Sequence, residues 1–161
     1  MSEKWRSCVG IAGAVLVLDV LTKWWVNRAM GLGDSVPLVG DWVRLTYVVN
    51  PGAAFGLHVG VYSRAVFTLL ALVALVVIAM ALRGIPDGER GRLAALALVG
   101  GGATGNLLDR VGRGAVVDFM DVGVGPLRWP VFNLADVGVT VGALVLVLLL
   151  WEDAEPRPAP E

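Results

Sequence analysis

One cysteine and one histidine in 161 residues exclude several chemistries at once. Cys8 has no partner for an internal disulfide, so the chain carries no covalent staple and no sign of its redox compartment. His58 and Cys8 are too few for a His/Cys zinc set, and no metal ligand cluster is expected. Neither Ser35 nor Ser63 lies in a nucleophile motif that would recruit His58 as a base. Charge is scarce too: 17% of the residues are Asp, Glu, Lys or Arg, against about 25% in soluble domains. The net charge of -1 offers no basic surface for nucleic acid.

What is abundant is apolar. The chain is 57% hydrophobic with a mean hydropathy of +0.74, more than the core of so small a globule can bury. A lipid-facing surface is the outlet. Four segments, at 7–27, 61–82, 93–109 and 131–151, are long enough to cross a hydrocarbon core of about 30 Å as helices. Lys4 and Arg6 ahead of an apolar run imitate a secretory signal peptide. The run continues into "DVLTKWW" with no A-x-A-like cleavage site, so it reads as a retained first span. Residues 1–151 therefore read as one four-span unit, and the Pro- and acid-rich 152–161 as a disordered tail. The fold class expected is an all-α polytopic membrane protein. It carries a small β element in the loop between helices 1 and 2, where residues 41–49 alternate β-branched and aromatic side chains.

Four antiparallel spans would bring the unusual polar residues to one membrane face. Asp19 and Lys23 sit near the end of span one, and "NPGAAFG" (50–56) precedes span two. "GNLLDR" (105–110) closes span three, Asp118 follows in a loop, and "FNLAD" (132–136) opens span four. At about 1.5 Å per residue, Asp136 lies roughly 22 Å from the anchor-like Trp151, several Å inside the bilayer. Trp24, Trp25, Trp42 and Trp129 suit an aromatic belt on that face. Lys and Arg are nearly balanced between the two faces, so charge gives no orientation.

Ionisable residues in spanning segments are costly and are candidates for function. Asp19 and Lys23, spaced i,i+4, either neutralise each other structurally or line a site. Arg110 at a helix C-terminus suits the macrodipole and reads equally as a snorkelling residue. Gly101 and Gly105 form a G-x-x-x-G suited to close helix packing. "GGATG" lacks the Lys-Ser/Thr of a phosphate loop. Two carboxylates meeting in a wet notch cannot both ionise, so one would keep its proton while the other acts as base. Asp118 and Asp136 are the sharper candidates, with Asp19, Asp109 and Asp121 left open by spacing alone. A proton-coupled transporter is the rival reading of the same residues.

Taken together, "DVLTK" (19–23), "NPGAAFG" (50–56), "GGATGNLLDR" (101–110), "GAVVDF" (114–119) and "FNLADV" (132–137) resemble the bacterial lipoprotein signal peptidases, in that family's order. The resemblance implies an aspartic endopeptidase without metal or other cofactor. Its catalytic pair would be Asp118 and Asp136. Asp19, Lys23, Asn50, Gly52, Asn106, Asp109, Arg110 and Asn133 would line or brace the site. It also implies diacylglyceryl-modified prolipoproteins as substrates, cut before the lipidated cysteine, and membrane lipid as a further partner. The expected setting is the cytoplasmic membrane, with both termini cytoplasmic, the site near the outer leaflet and the protein a monomer.

Overall fold

The computed structural model describes residues 2–52 and 58–154. Four long helices and one small sheet make up the fold: α1 (Glu3–Ala29), β1 (Ser35–Val39), β2 (Val43–Asn50), α2 (Ser63–Gly84), α3 (Arg90–Arg113), β3 (Val116–Val124), β4 (Leu127–Arg128) and α4 (Leu134–Ala154). Each helix falls on one of the expected apolar segments. α1 starts four residues earlier than the sequence suggests, and α4 continues to Ala154, three residues past its expected end. Residues 53–57, within the "NPGAAFG" stretch, and 155–161, within the expected tail, lie outside the described residues.

Three helical stretches, Glu3–Ala29, Gly60–Gly84 and Leu134–Glu152, are long and apolar enough to cross a membrane. α2 shows why most plainly. Leu69, Leu70, Val73, Val76, Val77 and Met80 are all more than half exposed, an arrangement that water penalises and hydrocarbon does not. α3 is as long but carries Arg90 and Arg92 at one end and Asp109, Arg110 and Arg113 at the other. Its position explains the difference. α3 is the central helix, packed against α1, α2 and α4, so it can carry polar side chains that face protein.

Small residues let the helices approach. A methyl group at Gly101 would lie 2.7 Å from the Ala12 carbonyl oxygen of α1, and one at Gly102 would lie 2.3 Å from the Ala135 carbonyl oxygen of α4. The expected Gly101/Gly105 seam is therefore a real α3–α1 contact, and the intervening Gly102 serves α4. At its other end α3 stops at Gly114, whose left-handed φ of 82° fits a residue without Cβ. The Gly114 N–H donates to the Arg110 carbonyl at 3.1 Å.

The sheet is larger than the expected element at 41–49. Its order is β1-β2-β3-β4, all antiparallel. β1 is exposed throughout and contains Pro37, so no buried alternation marks it in the sequence. β2 pairs with β3 with Val48 opposite Asp118 and Asn50 opposite Val116. Asn50 is thus the diagonal, same-face neighbour of Asp118. Beneath the sheet, Val26, Tyr47, Val117 and Phe119 form one apolar cluster. A second, around Cys8, Leu82, Leu93, Leu96 and Ala97, joins α1, α2 and α3 at the far end.

Candidate active site

Where β3 passes over the ends of α1, α3 and α4, a group of buried or partly buried polar side chains converges. Asp136 is the third residue of α4, and Asn133 immediately precedes the helix. The Asn133 side-chain oxygen accepts from the Asp136 N–H at 2.9 Å, and Asp136 Oδ2 accepts from the Asn133 N–H at 3.2 Å. This reciprocal pair is a capping box, which satisfies two N–H groups that a helix start otherwise leaves orphaned. A carboxylate in the first turn of an apolar helix therefore closes that helix at its N-terminus.

Asn133 is fully buried and faces Asp118 as well. Its Nδ2 donates to Asp118 Oδ1 at 2.6 Å, while Asn50 Nδ2 donates to Asp118 Oδ2 at 3.2 Å. Asp136 Oδ1 accepts from Asn106 Nδ2 at 2.8 Å. Among the described residues, every hydrogen bond to the Asp118 and Asp136 carboxylates comes from an amide. The other buried aspartates are held by cations. Lys23 Nζ lies 2.7 Å from Asp19 Oδ2 and 3.0 Å from Asp109 Oδ2, and Arg128 Nε lies 2.6 Å from Asp121 Oδ1. Burial pushes the Asp118 carboxyl up, the Asp136 charge adds to this, and the Asn50 and Asn133 amides and Lys23 only partly offset it. The result is about 6 against an ordinary 3.8.

Asp118 and Asp136 line one cavity of about 360 Å³, together with Asn50, Asn106 and Arg110. Its remaining wall is Val116, the 129–132 segment, and Val137, Thr140 and Val141 along α4. Sequence reasoning assigns none of these wall residues a role in the site and reads Trp129 as part of an aromatic belt. Thr140 had a readable signal, since it lies one helical turn beyond Asp136 on the same face.

The supporting residues divide into two sets. Asp19, fully buried, accepts from the Ala135 N–H at 2.9 Å, tying α1 to the start of α4. A methyl group at Gly105 would come within 2.5 Å of its Oδ2. Asp109 accepts from the Val117 N–H at 3.2 Å and so fixes β3 beside Asp118. Asp19 and Lys23 are thus more than a self-neutralising pair. In the second set, Arg110 does not snorkel outwards; it turns inwards, with Nη2 donating to the Gly52 carbonyl at 3.0 Å. Gly52 donates its N–H to Asn50 Oδ1 at 2.9 Å, which turns the Asn50 Nδ2 towards Asp118. Arg64 on α2 caps the end of α3, donating to the Arg110 and Val111 carbonyls at 3.0 and 2.9 Å.

The two serine positions play other parts. Ser63 is buried. Its hydroxyl meets His58 Nδ1 at 3.1 Å, accepts from the Val59 N–H and donates to the Gly60 carbonyl at 2.9 Å, so its proton is already engaged at the helix start. Ser35 bonds Thr46 on the sheet. Among the described residues, no three His, Cys, Asp or Glu side chains are grouped as a metal site requires.

The family model described as signal peptidase (SPase) II matches residues 11–152. The chain belongs to the signal peptidase II family. It is 39% identical over 151 residues to a lipoprotein signal peptidase of Geobacillus kaustophilus, covering 94% of this chain and 97% of that one. To a lipoprotein signal peptidase of Geobacter sulfurreducens it is 42% identical over 160 residues, covering 98% and 100%. A solved bacterial membrane enzyme superposes with a TM-score of 0.86 at 28% identity, covering 96% of this chain and 93% of that one. As a signal peptidase II family member, this membrane-integral chain is a peptidase. The cavity beneath β3 is the candidate place for that hydrolysis.

Proposed function

We propose that this protein is an aspartic endopeptidase that removes the signal peptide from diacylglyceryl-modified prolipoproteins, cutting before the lipidated cysteine, with Asp118 and Asp136 as its catalytic pair. One observation carries the assignment of the pair. They are the two buried or half-buried carboxylates that face a common cavity with amide partners, whereas Asp19, Asp109 and Asp121 are each neutralised by a cation. The lipoprotein signal peptidase relatives support the substrate class.

The chemistry follows from two carboxyl groups sharing one proton. The ionised aspartate takes a proton from water as the water oxygen bonds to the scissile carbonyl carbon. The protonated one hydrogen-bonds the carbonyl oxygen. As the C–N bond breaks, a proton passes to the leaving nitrogen, giving an acid and an amine with one water consumed. The carboxyl pair itself activates the water and protonates the leaving group, so the proposed reaction calls for no cofactor. Asn133 bridges the two carboxylates, and Asn50, Asn106 and Arg110 orient them and the substrate. Gly52, Asp19, Lys23 and Asp109 brace these residues from behind.

In this reading α3 is the fourth span, screened from lipid by its neighbours. Both termini lie in the cytoplasm, and the sheet and cavity lie at the outer leaflet of the cytoplasmic membrane. A monomer then meets its lipidated substrate laterally, with membrane lipid as the surrounding partner. The transporter reading has less support. On α1 between Lys4 and Asp19, and on α3 between Leu93 and Asn106, the described buried side chains include no charged one to continue a proton path.

The test is cleavage of a diacylglyceryl-modified prolipoprotein in nanodiscs, read by gel shift. Wild type runs beside Asp118→Asn and Asp136→Asn, with unlipidated substrate and EDTA as controls. Lipid-dependent, EDTA-insensitive cleavage, lost in both variants, is the expected result. Cleavage surviving in either variant would mean that a different carboxylate does the chemistry.

A further inference from the structure

Lys23 lies outside the cavity lining, yet it controls a group inside it. Its ammonium has three N–H donors and no acceptor, and it is 2% exposed. Three oxygens surround it: Asp19 Oδ2 at 2.7 Å and Asp109 Oδ2 at 3.0 Å as ion pairs, and Asn106 Oδ1, to which it donates at 2.9 Å. One of the three is therefore the side-chain oxygen of an asparagine. The opposite edge of that amide, Asn106 Nδ2, donates to Asp136 Oδ1.

An asparagine amide has two nearly isosteric orientations, which the hydrogen-bond network selects. Here the network permits one. With Asn106 turned over, its NH2 would point at the Lys23 ammonium, and at Asn133 Nδ2, which now donates to Asn106 Oδ1 at 3.1 Å. Donors would face donors in a buried site and be left unsatisfied there. Asn133 cannot turn over to relieve this, because its own Oδ1 is held by the Asp136 N–H.

We propose that Lys23 is a positioning residue that locks the Asn106 amide so that it always presents an N–H, never its carbonyl, to Asp136. The inference rests on reading Asp118 and Asp136 as the catalytic pair. An amide N–H can serve either protonation state of a carboxyl group, whereas an amide oxygen is matched only by the protonated one. The lock therefore keeps Asp136 free to hold or release the shared proton. The charged groups around this amide and its lock come from every packed element. They are Asp19 and Lys23 on α1, Asp109 and Arg110 on α3, Asp118 on β3 and Asp136 on α4, with Arg113 behind Asp109 at 3.8 Å.

A double-mutant cycle tests this, with kcat/KM measured across pH on a diacylglyceryl-modified prolipoprotein in nanodiscs for Lys23→Met, Asn106→Leu and the double variant. Losing one hydrogen bond to a charged group corresponds to roughly a 10- to 100-fold fall. Each single variant is expected to show that fall, the double variant no more than the larger of the two. The pH–rate profiles of both singles should be displaced from wild type in the same direction. Multiplying losses, or a Lys23→Met profile that keeps the wild-type shape and falls only with the folded fraction, would overturn the lock. Because Lys23→Met strands two buried carboxylates, Lys23→Met with Asp19→Asn is measured against Asp19→Asn alone under the same criteria. Asp118→Asn and Asp136→Asn run in the same assay. If either of these retains activity, the pair itself is misassigned; if both are inactive and the cycle is additive, only the lock falls.

Discussion

Asp118 makes a prediction about stability as sharp as the one about activity. It lies on β3, 2% exposed, with its carboxyl raised from 3.8 to about 6. An acid raised on folding contributes stability that is full below 3.8 and is lost as pH rises through about 6. At 1.36 kcal/mol per pH unit, holding Asp118 ionised near neutral pH costs the folded protein on the order of 3 kcal/mol. Asp118→Asn removes that cost. It also turns an NH2 towards the Asn50 and Asn133 donors, and the weaker contact, from Asn50 at 3.2 Å, is lost at about 1 kcal/mol. The expected net gain near neutral pH is about 2 kcal/mol, or roughly 4–8 °C in melting temperature for a chain of this size. Below pH 3.8 the order reverses, and the variant melts slightly lower than wild type. Thermal unfolding in detergent at the two pH values, read by intrinsic tryptophan fluorescence, measures both. A variant less stable than wild type by the same margin at both would refute the reasoning, because it would mean that Asp118 carries no penalty for its charge.

Three further substitutions separate bracing from chemistry. Gly105→Ala drives a methyl group to 2.5 Å from Asp19 Oδ2, so either the Asp19 carboxylate leaves Lys23 and the Ala135 N–H or α1 and α3 part. A loss of about 1–3 kcal/mol is expected, seen as a lower melting temperature, and an unchanged melt would mean that the Asp19 contact is slack. Arg64→Gln removes the two bonds that close the end of α3 and should cost about 1–2 kcal/mol. Hydrogen exchange should quicken in residues 110–114, and unchanged protection there would show that the guanidinium is not a cap. Ser63→Ala should lower stability by about 1–3 kcal/mol through the two lost bonds to the Val59 N–H and the Gly60 carbonyl while cleavage persists. Complete loss of activity in a folded Ser63→Ala protein would point to serine chemistry instead.

The helices were legible because each is built on one long, mainly apolar run, and the convergence of polar residues followed from counting turns between the runs. Pairings across distant segments were not legible. β2 and β3 are separated by more than sixty residues, and nothing in the local alternation of either names the other. The i,i+4 spacing of Asp19 and Lys23 could not decide between a closed pair and a site-lining one, because the second carboxylate and the amide beside the lysine come from α3. Arg110 read as a snorkelling residue because sequence alone cannot show that the Gly52 carbonyl waits on the inner side. Asn133 and Asp136 differ from these. Their x-x spacing before an apolar run is a capping box in plain sight, obscured because a carboxylate in a spanning segment draws attention to function before geometry.

The way the site is stitched has a consequence in time. Its parts enter the growing chain far apart: Lys23 in α1, Asn50 at the end of β2, Asn106 near the end of α3, Asp118 on β3, and Asp136 only with the last helix. A chain emerging from the ribosome thus carries three long helices, α1 to α3, before Asp136 arrives to face Asp118. Asn133 and Asp136 arrive together, within four residues, and the same hydrogen bonds that start the helix bring the second carboxylate to the first. On the proposed assignment of Asp118 and Asp136, maturation of the hydrolytic centre is in this way tied to completion of the fold, which comes only when α4 has docked.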